Sequence, residues 1–343
     1  TNFNVFRQIG TNTQRVGGTL NWQRPLDGFL GEKYNLTVQS TLAGYTATSL
    51  NALPNYAVSN DSSATARAQP QVALDMHWPF VRDGGSLGTQ LIEPIAQIIV
   101  GPNVGSRQTA KIPNEDSFDF EFTDQTLFSL NRFAGIDRVE GGTRVNAALH
   151  ANWTVAGASL DGLVGESYNS HVDNSVYPVA SGLNKRFSDI VTRTSFAPAP
   201  WFDLTGRTRL DSSRLTPRFV DAQASAGVPL FRVSGGYIYT ATNPYFLFSQ
   251  ATVPASYFMH RNEITLSASS QIGHYKLTGY ARRDINLGKP TAIGLHGTYE
   301  DECFIFDLNL NKRYTSLNGD TGSTLVLFQV TFKTVGAVGY HAS

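Results

Sequence analysis

Nowhere in these 343 residues do the roughly 18 to 20 consecutive apolar residues of a spanning helix occur, so transmembrane helices are excluded. The first residues also lack the basic-then-apolar pattern of a secretory signal. Cysteine occurs once, at Cys303, so no disulfide can close within the chain; a free thiol or a bond to another segment both remain open. Charged residues are scarce at 16%, against roughly 25% in soluble domains. Lys+Arg and Asp+Glu each number 27, and a formal charge of zero removes the long-range field of a nucleic-acid binder. The histidines, at 77, 150, 171, 260, 274, 296 and 341, are scattered, with no His-Glu-x-x-His run and no Cys/His pairing at ligand spacing. No metal and no other cofactor is expected. Gly-x-Ser-x-Gly is missing, and Gly101-Pro102-Asn103-Val104-Gly105-Ser106 lacks the lysine of a phosphate loop. Nothing gathers Ser, His and Asp into a triad, so no catalytic residue is assigned and the chain is expected not to be an enzyme.

What is abundant is Gly, Ser, Thr, Asn and aromatic residues, a composition that favours strands. Between Thr143 and Val155 the odd positions read Val145, Ala147, Leu149, Ala151, Trp153 and Val155. The even ones are mostly polar: Arg144, Asn146, His150, Asn152 and Thr154. Phe202 to Asp211 and Val220 to Val228 repeat the alternation. Further strands of the same kind are expected at Glu263 to Ile272, Tyr275 to Asp284, Thr291 to Tyr299, Phe304 to Arg313 and Thr324 to Lys333. Weaker alternation places others at Asn12 to Gln23, Lys33 to Thr46, Ala64 to His77, Leu87 to Val100, Ser159 to Tyr168 and Arg186 to Phe196. The total is roughly fourteen to sixteen, many of about ten residues or more, the length a tilted strand needs to cross a bilayer.

Short connections carry turn residues, as at Gly157-Ala158, Ala197 to Pro200, Gly227-Val228-Pro229 and Gly288-Lys289-Pro290. Long ones fall at Leu50 to Ser63, Gly101 to Arg138, Asn169 to Lys185 and Ala241 to Ser256. Short turns at one end and long loops at the other are the asymmetry of an outer-membrane barrel. Trp78, Phe80, Trp153, Trp201, Phe202, Tyr237 and Tyr239 would suit its interfacial girdles. A soluble sandwich or propeller also buries one strand face, but no repeat of roughly forty to fifty residues marks a propeller. The fold class expected is all-β, an antiparallel transmembrane β-barrel, running as one region over residues 1–343. Arg144, Arg207, Arg209 and Arg282 fall on the polar face, either to line a path for an anionic ligand or to pair with Asp203, Asp211, Asp221 and Asp284.

One stretch obeys no period. It reads Ile112-Pro113-Asn114-Glu115-Asp116-Ser117, then Leu127-Phe128 and Asn131-Arg132-Phe133-Ala134-Gly135-Ile136-Asp137-Arg138, closing on Glu140-Gly141-Gly142-Thr143-Arg144. Together with Glu93 to Gln97, Tyr299 to Phe304, Arg313-Tyr314 and Leu327 to Lys333, it closely resembles the LptD family of lipopolysaccharide (LPS) assembly proteins of Gram-negative outer membranes. That resemblance implies a barrel of about twenty-six strands, of which this chain would be the C-terminal part. A periplasmic jellyroll domain and the first barrel strands would lie outside it, which suits a start at Thr1 without an initiator methionine. It implies a lipoprotein plug (LptE), an LPS-bridge partner (LptA) met through the N-terminal domain, and LPS itself as cargo. Release would occur sideways through a seam between first and last strands. The last strand, with Thr324, Val326, Phe328, Val330 and Phe332, would be one lip. Cys303 would pair with a cysteine of the periplasmic domain; where some members carry two adjacent cysteines this chain has Glu302-Cys303. The signature residues Asn114, Asp116, Ser117, Asn131, Arg132, Gly135, Asp137 and Arg138 are expected to shape an ordered extracellular loop through hydrogen bonds and to touch no substrate. A passive porin is the alternative function. A barrel hydrolase or an adhesin has nothing specific in the sequence.

Overall fold

The computed structural model describes residues 12–50, 62–104, 111–117, 121–172, 177, 181–241, 261–314, 322–333 and, as backbone, 336–342. Among them are seventeen strands and no α-helix longer than a single turn. The first five are β1 (Asn12–Asp27), β2 (Lys33–Thr48), β3 (Ser62–His77), β4 (Phe80–Asp83) and β5 (Thr89–Val100). There follow β6 (Arg144–Val155), β7 (Ala158–Asn169), β8 (Ile190–Ala199), β9 (Phe202–Leu210), β10 (Pro217–Val228) and β11 (Phe231–Thr240). The rest are β12 (Arg261–Ile272), β13 (Tyr275–Asp284), β14 (Lys289–Glu300), β15 (Phe304–Arg313), β16 (Ser323–Phe332) and β17 (Gly336–Ala342).

Every ladder is antiparallel and joins neighbours along the chain, except that β3 passes the short β4 to pair with β5. Among the described residues no ladder joins β1 to β17, so the sheet is open at those two edges. Register keeps the two faces distinct, because opposed residues share a face. Leu295, Leu310 and Val326 form one row across β14, β15 and β16, and Gly297, Leu308 and Phe328 form the next. Between them, on the opposite face, lies the row His296, Asn309 and Leu327, and beyond it the polar row Thr298, Asp307 and Gln329.

The apolar face is bare. Val16 is 78% exposed and Leu266 60%, with Leu20, Val38, Leu149, Leu277 and Phe328 also on the surface. Removing one such side chain from water is worth about 1.5–3 kcal/mol, so a sheet presenting dozens of them is built for lipid and not for water. At the end where β14 turns into β15 the exposed face carries a tight aromatic cluster: Tyr275 lies 4.9 Å from Tyr299, and Phe304 4.7 Å from Phe306 between centroids. Trp78, Phe80, Trp201 and Phe202 sit at the same end. The hairpin between β6 and β7 turns there on Ala156 and Gly157, both with positive φ (47° and 85°), the geometry of a type I′ turn.

Three strands were not legible in the alternation. β11 reads Phe-Arg-Val-Ser-Gly-Gly-Tyr-Ile-Tyr-Thr, where Gly235-Gly236 erase the contrast and Ile238 sits on the polar face. β4 has only four residues. β17 follows the strand expected to be last, so β16 is not an edge: it pairs with β15 on one side and β17 on the other. The short, glycine-bearing segment Gly-Ala-Val-Gly-Tyr-His-Ala is too brief to show a period. Two connections at the long-loop end are also short, residues 211–216 and 285–288. The expected long connections at Leu50 to Ser63 and Ala241 to Ser256 lie almost wholly outside the described residues.

Candidate functional site

The polar face is not an empty wall. The segment joining β5 to β6 folds back onto it and lies across β1 to β9, and every signature residue is a pin in that arrangement. Asn114 Oδ1 accepts the Ser117 amide at 3.0 Å, closing a turn behind Pro113. Asp116 Oδ1 accepts the amides of Ile136 (3.1 Å) and Asp137 (3.0 Å) and the Ser117 hydroxyl (3.0 Å). Gly135 allows this approach, since a Cβ there would stand 2.1 Å from Asp116 Oδ1. Asn131 Oδ1 accepts the Glu140 amide (3.1 Å), and Arg138 Nη1 donates to the Ile112 carbonyl (2.8 Å).

Strand side chains meet these pins. Arg15 on β1 reaches Asp116 (2.6 Å) and Asp137 (3.0 Å). Arg67 on β3 donates to the Asp137 carbonyl (3.0 Å), to Tyr45 Oη on β2 (3.1 Å) and to the Ile136 carbonyl. Burial would lift both loop carboxyls. Asp116 nonetheless stays below the usual carboxylate range because the Asp137 and Ile136 amides, the Ser117 hydroxyl and Arg15 favour its charge. Asp137 lies above that range: burial and the neighbouring Asp116 charge outweigh the Glu115 amide and Arg15.

Arg132 is the deepest pin. Its side chain is fully buried and donates to Glu140 Oε1 (3.1 Å), the Leu127 carbonyl (3.0 Å), Asn146 Oδ1 (2.7 Å) and Ser167 Oγ (2.9 Å). Glu140 lies 3.4 Å from Arg144 on β6, whose Nη2 donates to the carbonyls of Ser129 and Leu130 at 2.7 Å each. Beside this ionic knot lies the apolar cluster of Phe122, Leu127, Phe133, Tyr177, Leu183 and Val191, with Phe133 and Tyr177 stacked at 5.4 Å. Full burial pushes the Tyr177 phenol well above its ordinary value. Gly165 on β7 makes room for this cluster, because a Cβ there would meet Leu127 Cδ2 at 2.4 Å.

A charge ladder then crosses the polar face. His77 pairs with Glu93 (3.1 Å), Glu93 with His150 (3.1 Å), His150 with Asp161 (2.6 Å) and Asp161 with Arg193 (2.8 Å). It continues through the segment's own Asp124, 3.8 Å from Arg193 and 3.3 Å from Arg207. Of the four inward arginines, Arg207 also approaches Asp221 (3.9 Å), Arg209 takes Glu121 (2.8 Å) and Asp189 (3.4 Å), and Arg282 lies 3.9 Å from Glu263. The ion-pair reading of these arginines is what the geometry supports, with partners drawn largely from the folded-back segment. Asp203 instead meets Arg232, and Asp211 meets Arg218 (3.1 Å).

Among the described residues, two open spaces stand out on the polar face. One is a groove of about 530 Å³ below the folded-back segment, lined by Lys33, Asn35, Asp75, His77, Gln97 and Phe128. The other, about 240 Å³, lies over β10 to β13 among Gln223, Ser234, Gly236, Arg261, Thr265 and Arg282. No group of three or more metal-ligating side chains occurs among the described residues. Sequence reasoning did not find Arg15, Arg67, Asp124 or the histidine ladder; alternation places the strand residues on the polar face and Asp124 lies in the aperiodic segment, but their partners are 11 to 122 residues away.

The expected seam residues Thr324, Val326, Phe328, Val330 and Phe332 all share the lipid-side face of β16, opposite Lys312, Leu310, Leu308, Phe306 and Phe304. Cys303 is exposed and free in this chain, in the turn between β14 and β15. Asp301 Oδ1 fixes that turn by accepting the amides of Cys303 (2.8 Å) and Phe304 (2.9 Å), which hold its carboxyl below the ordinary range. The turn lies at the short-connection end of the sheet, far from the folded-back segment.

The family model described as LptD, LPS transport system D, matches residues 1–275. No curated protein matches the chain. Among solved structures, a triple mutant of the Rhodopseudomonas blastica porin is similar at 11% identity and a TM-score of 0.34, covering 96% of this chain and all of that one. A more heavily substituted form of the same porin gives 12%, 0.35 and the same coverage.

Proposed function

The chain belongs to the LptD family, whose members are Gram-negative outer-membrane proteins of LPS transport, and from that premise we propose that it forms part of the barrel that delivers LPS to the outer leaflet. It acts by passage and not by catalysis. The saccharide part of the cargo follows the polar face while the acyl chains stay against apolar surface and leave sideways. The observation that carries this reading is the pairing of β17. Seven registered positions hold it to β16, against sixteen between β1 and β2 and ten between β15 and β16. A strand held on one side only, and by so short a ladder, costs less to detach than the long strands paired on both sides. The lip of the seam is therefore β17, with β16 behind it.

A plug lipoprotein of the LptE kind fits the inner face of β10 to β16, which the folded-back segment leaves uncovered, and an LptA-like bridge would meet the protein outside this chain. In the full-length protein, a reducible cross-link between β17 and the first barrel strand should stop surface LPS delivery, with recovery on reduction. Undiminished delivery through a locked seam would rule out the lateral route. Ion conductance by the isolated barrel, with no need for a lipoprotein, would favour the passive porin instead.

A further inference from the structure

Arg15, Arg144, Arg193, Arg207, Arg209 and Arg282 on the polar face of this sheet have carboxylates beside them. On the lipid side, at the end bearing the long connections, two do not. Arg283 stands near the end of β13, opposite Ile264 on β12 and Pro290 on β14. Lys312 stands near the end of β15, opposite Ile293 on β14 and Thr324 on β16. Their opposed residues place both on the apolar face, about 10 Å apart across one intervening strand. The nearby carboxylates point the other way: Glu263 pairs with Arg261 (3.1 Å) and Arg282, and Asp284 Oδ1 accepts the Leu287 amide (2.8 Å). Arg283 donates only to the Gly288 carbonyl (3.0 Å), and the Lys312 ammonium lies 5.1 Å over the Tyr314 ring. Among the described residues neither has an acidic partner.

Around and below them the face is apolar. Ile264, Ile285, Leu287, Ile293, Leu295 and Tyr314 are all exposed. A cation on the lipid face is tolerated only near an interface, where its head reaches the polar layer and its stem covers apolar surface. Long connections lie on the extracellular side of such barrels, so this interface belongs to the outer leaflet. Two uncompensated cations above greasy strand ends complement an anionic headgroup on acyl chains, and a guanidinium beside an ammonium suits phosphate oxygens.

We propose that Arg283 and Lys312, with Ile293 between them and Tyr314 beside them, form an outer-leaflet docking patch for the phosphorylated headgroup of a glycolipid. The patch rests on the LPS-delivery reading and deepens it. It lies on β13 to β15, two strands from the β17 edge, where a molecule leaving the seam would first be held.

The test uses the full-length protein with its lipoprotein partner, in nanodiscs of neutral phosphatidylcholine. These are titrated with fluorescent lipid A in its bis-phosphorylated and its dephosphorylated form. The wild type should bind the phosphorylated form about tenfold more tightly. Arg283→Gln with Lys312→Gln should reduce that preference to about twofold or less, and Arg283→Lys with Lys312→Arg should retain it. Equal binding of both lipids by the wild type, or a full preference in the glutamine variant, overturns the patch. Surface LPS is followed in parallel in cells depleted of the native protein. No preference in a chain that still delivers LPS sinks the patch alone, whereas preference in a chain that never delivers it sinks the delivery reading alone.

Discussion

Removing Arg132 should free the folded-back segment and leave the sheet standing. The guanidinium is completely buried, and Glu140 beside it is 3% exposed. Arg132→Met keeps much of the stem against the Phe122 ring, 5.1 Å away, and deletes the charge. Arg144 is then the nearest cation left to Glu140, at the longer distance of 3.4 Å, and the Leu127 carbonyl and Asn146 Oδ1 each lose a charged donor. Breaking one side of a buried pair costs about 3–5 kcal/mol, because the surviving charge stays desolvated. At about 1.4 kcal/mol per tenfold, that is a hundredfold to a few thousandfold loss of protection. Hydrogen exchange reads it directly. The amides of Ser117, Leu127, Arg138 and Glu140, each held within the segment or by its side chains, should exchange faster by that factor. Amides of the β13 to β16 ladders should not change. A loss below about threefold at the four amides would show that the knot contributes little. An equal loss across the sheet would show that the segment holds the strands up and does not ride on them.

Gly165→Ala should force Leu127 out of its seat, since the new Cβ would lie 2.4 Å from Leu127 Cδ2 and 2.9 Å from the Ala147 carbonyl; a penalty of about 1–3 kcal/mol is expected. Faster proteolytic cleavage near Leu127, partly relieved by a second change Leu127→Ala, is the readout, and strictly additive effects would refute the contact. Asp211 accepts from the Ser213 hydroxyl and amide, the Arg214 amide and Arg218, which hold its carboxyl far below the ordinary range. A depressed carboxylate stabilises the folded turn above its unfolded pKa and loses that contribution as pH falls through the folded one. Exchange at Ser213 and Arg214 should therefore accelerate only on strong acidification, and Asp211→Asn should remove the pH dependence; acceleration already at mild acidity would contradict this. In the full-length protein, Cys303 should form a disulfide to the periplasmic domain, seen as a reducible mobility shift that Cys303→Ser abolishes, and a free thiol under non-reducing conditions would exclude it.

Much of the sheet could be read from period alone. Phe202 to Asp211 and most of Phe304 to Arg313 alternate because one face meets lipid, and their observed limits differ by at most one residue. β11 failed that reading for the same reason it packs, since Gly235 and Gly236 carry no side chain to mark a face. The folded-back segment was legible only as an exception to the period. Pro113, Gly135 and its Asn and Asp residues announce fixed turns, yet nothing local tells that Arg132 would meet Ser167, 35 residues on. Charge ladders across strands depend on register, and register is set by hairpins the alternation cannot order. The same limit hid the edge: a seven-residue, glycine-bearing strand such as β17 offers too few positions to display a period.

The division of labour between the two halves of the polar face bears on how a seam could open. On β2 to β9 that face holds Arg67, Gln69, Gln71, Gln97, Arg144 and Arg209, all buried and tied to the folded-back segment or its neighbours. Moving those strands would break buried hydrogen bonds and ion pairs, each costly to leave unpaired. On β11 to β14 it carries many small residues, Ser234, Gly236, Thr265, Ser267, Thr278, Ala292 and Gly294, beside Tyr280 and the part-exposed pairs of Glu263 with Arg261 and Arg282. A shift of those strands against one another breaks, beyond their ladders, the part-exposed Glu263 pairs, which are worth far less than buried ones. β17 lies at the far end of that pliant half, eight strands from β9, and the ionic knot lies in the other. Detaching β17 therefore need not disturb the segment that fills the lumen on the opposite side. Under the proposed lateral route, such a barrel would open a sideways path while keeping its upper passage occupied, which a simple pore, whose only route runs through the lumen, could not do.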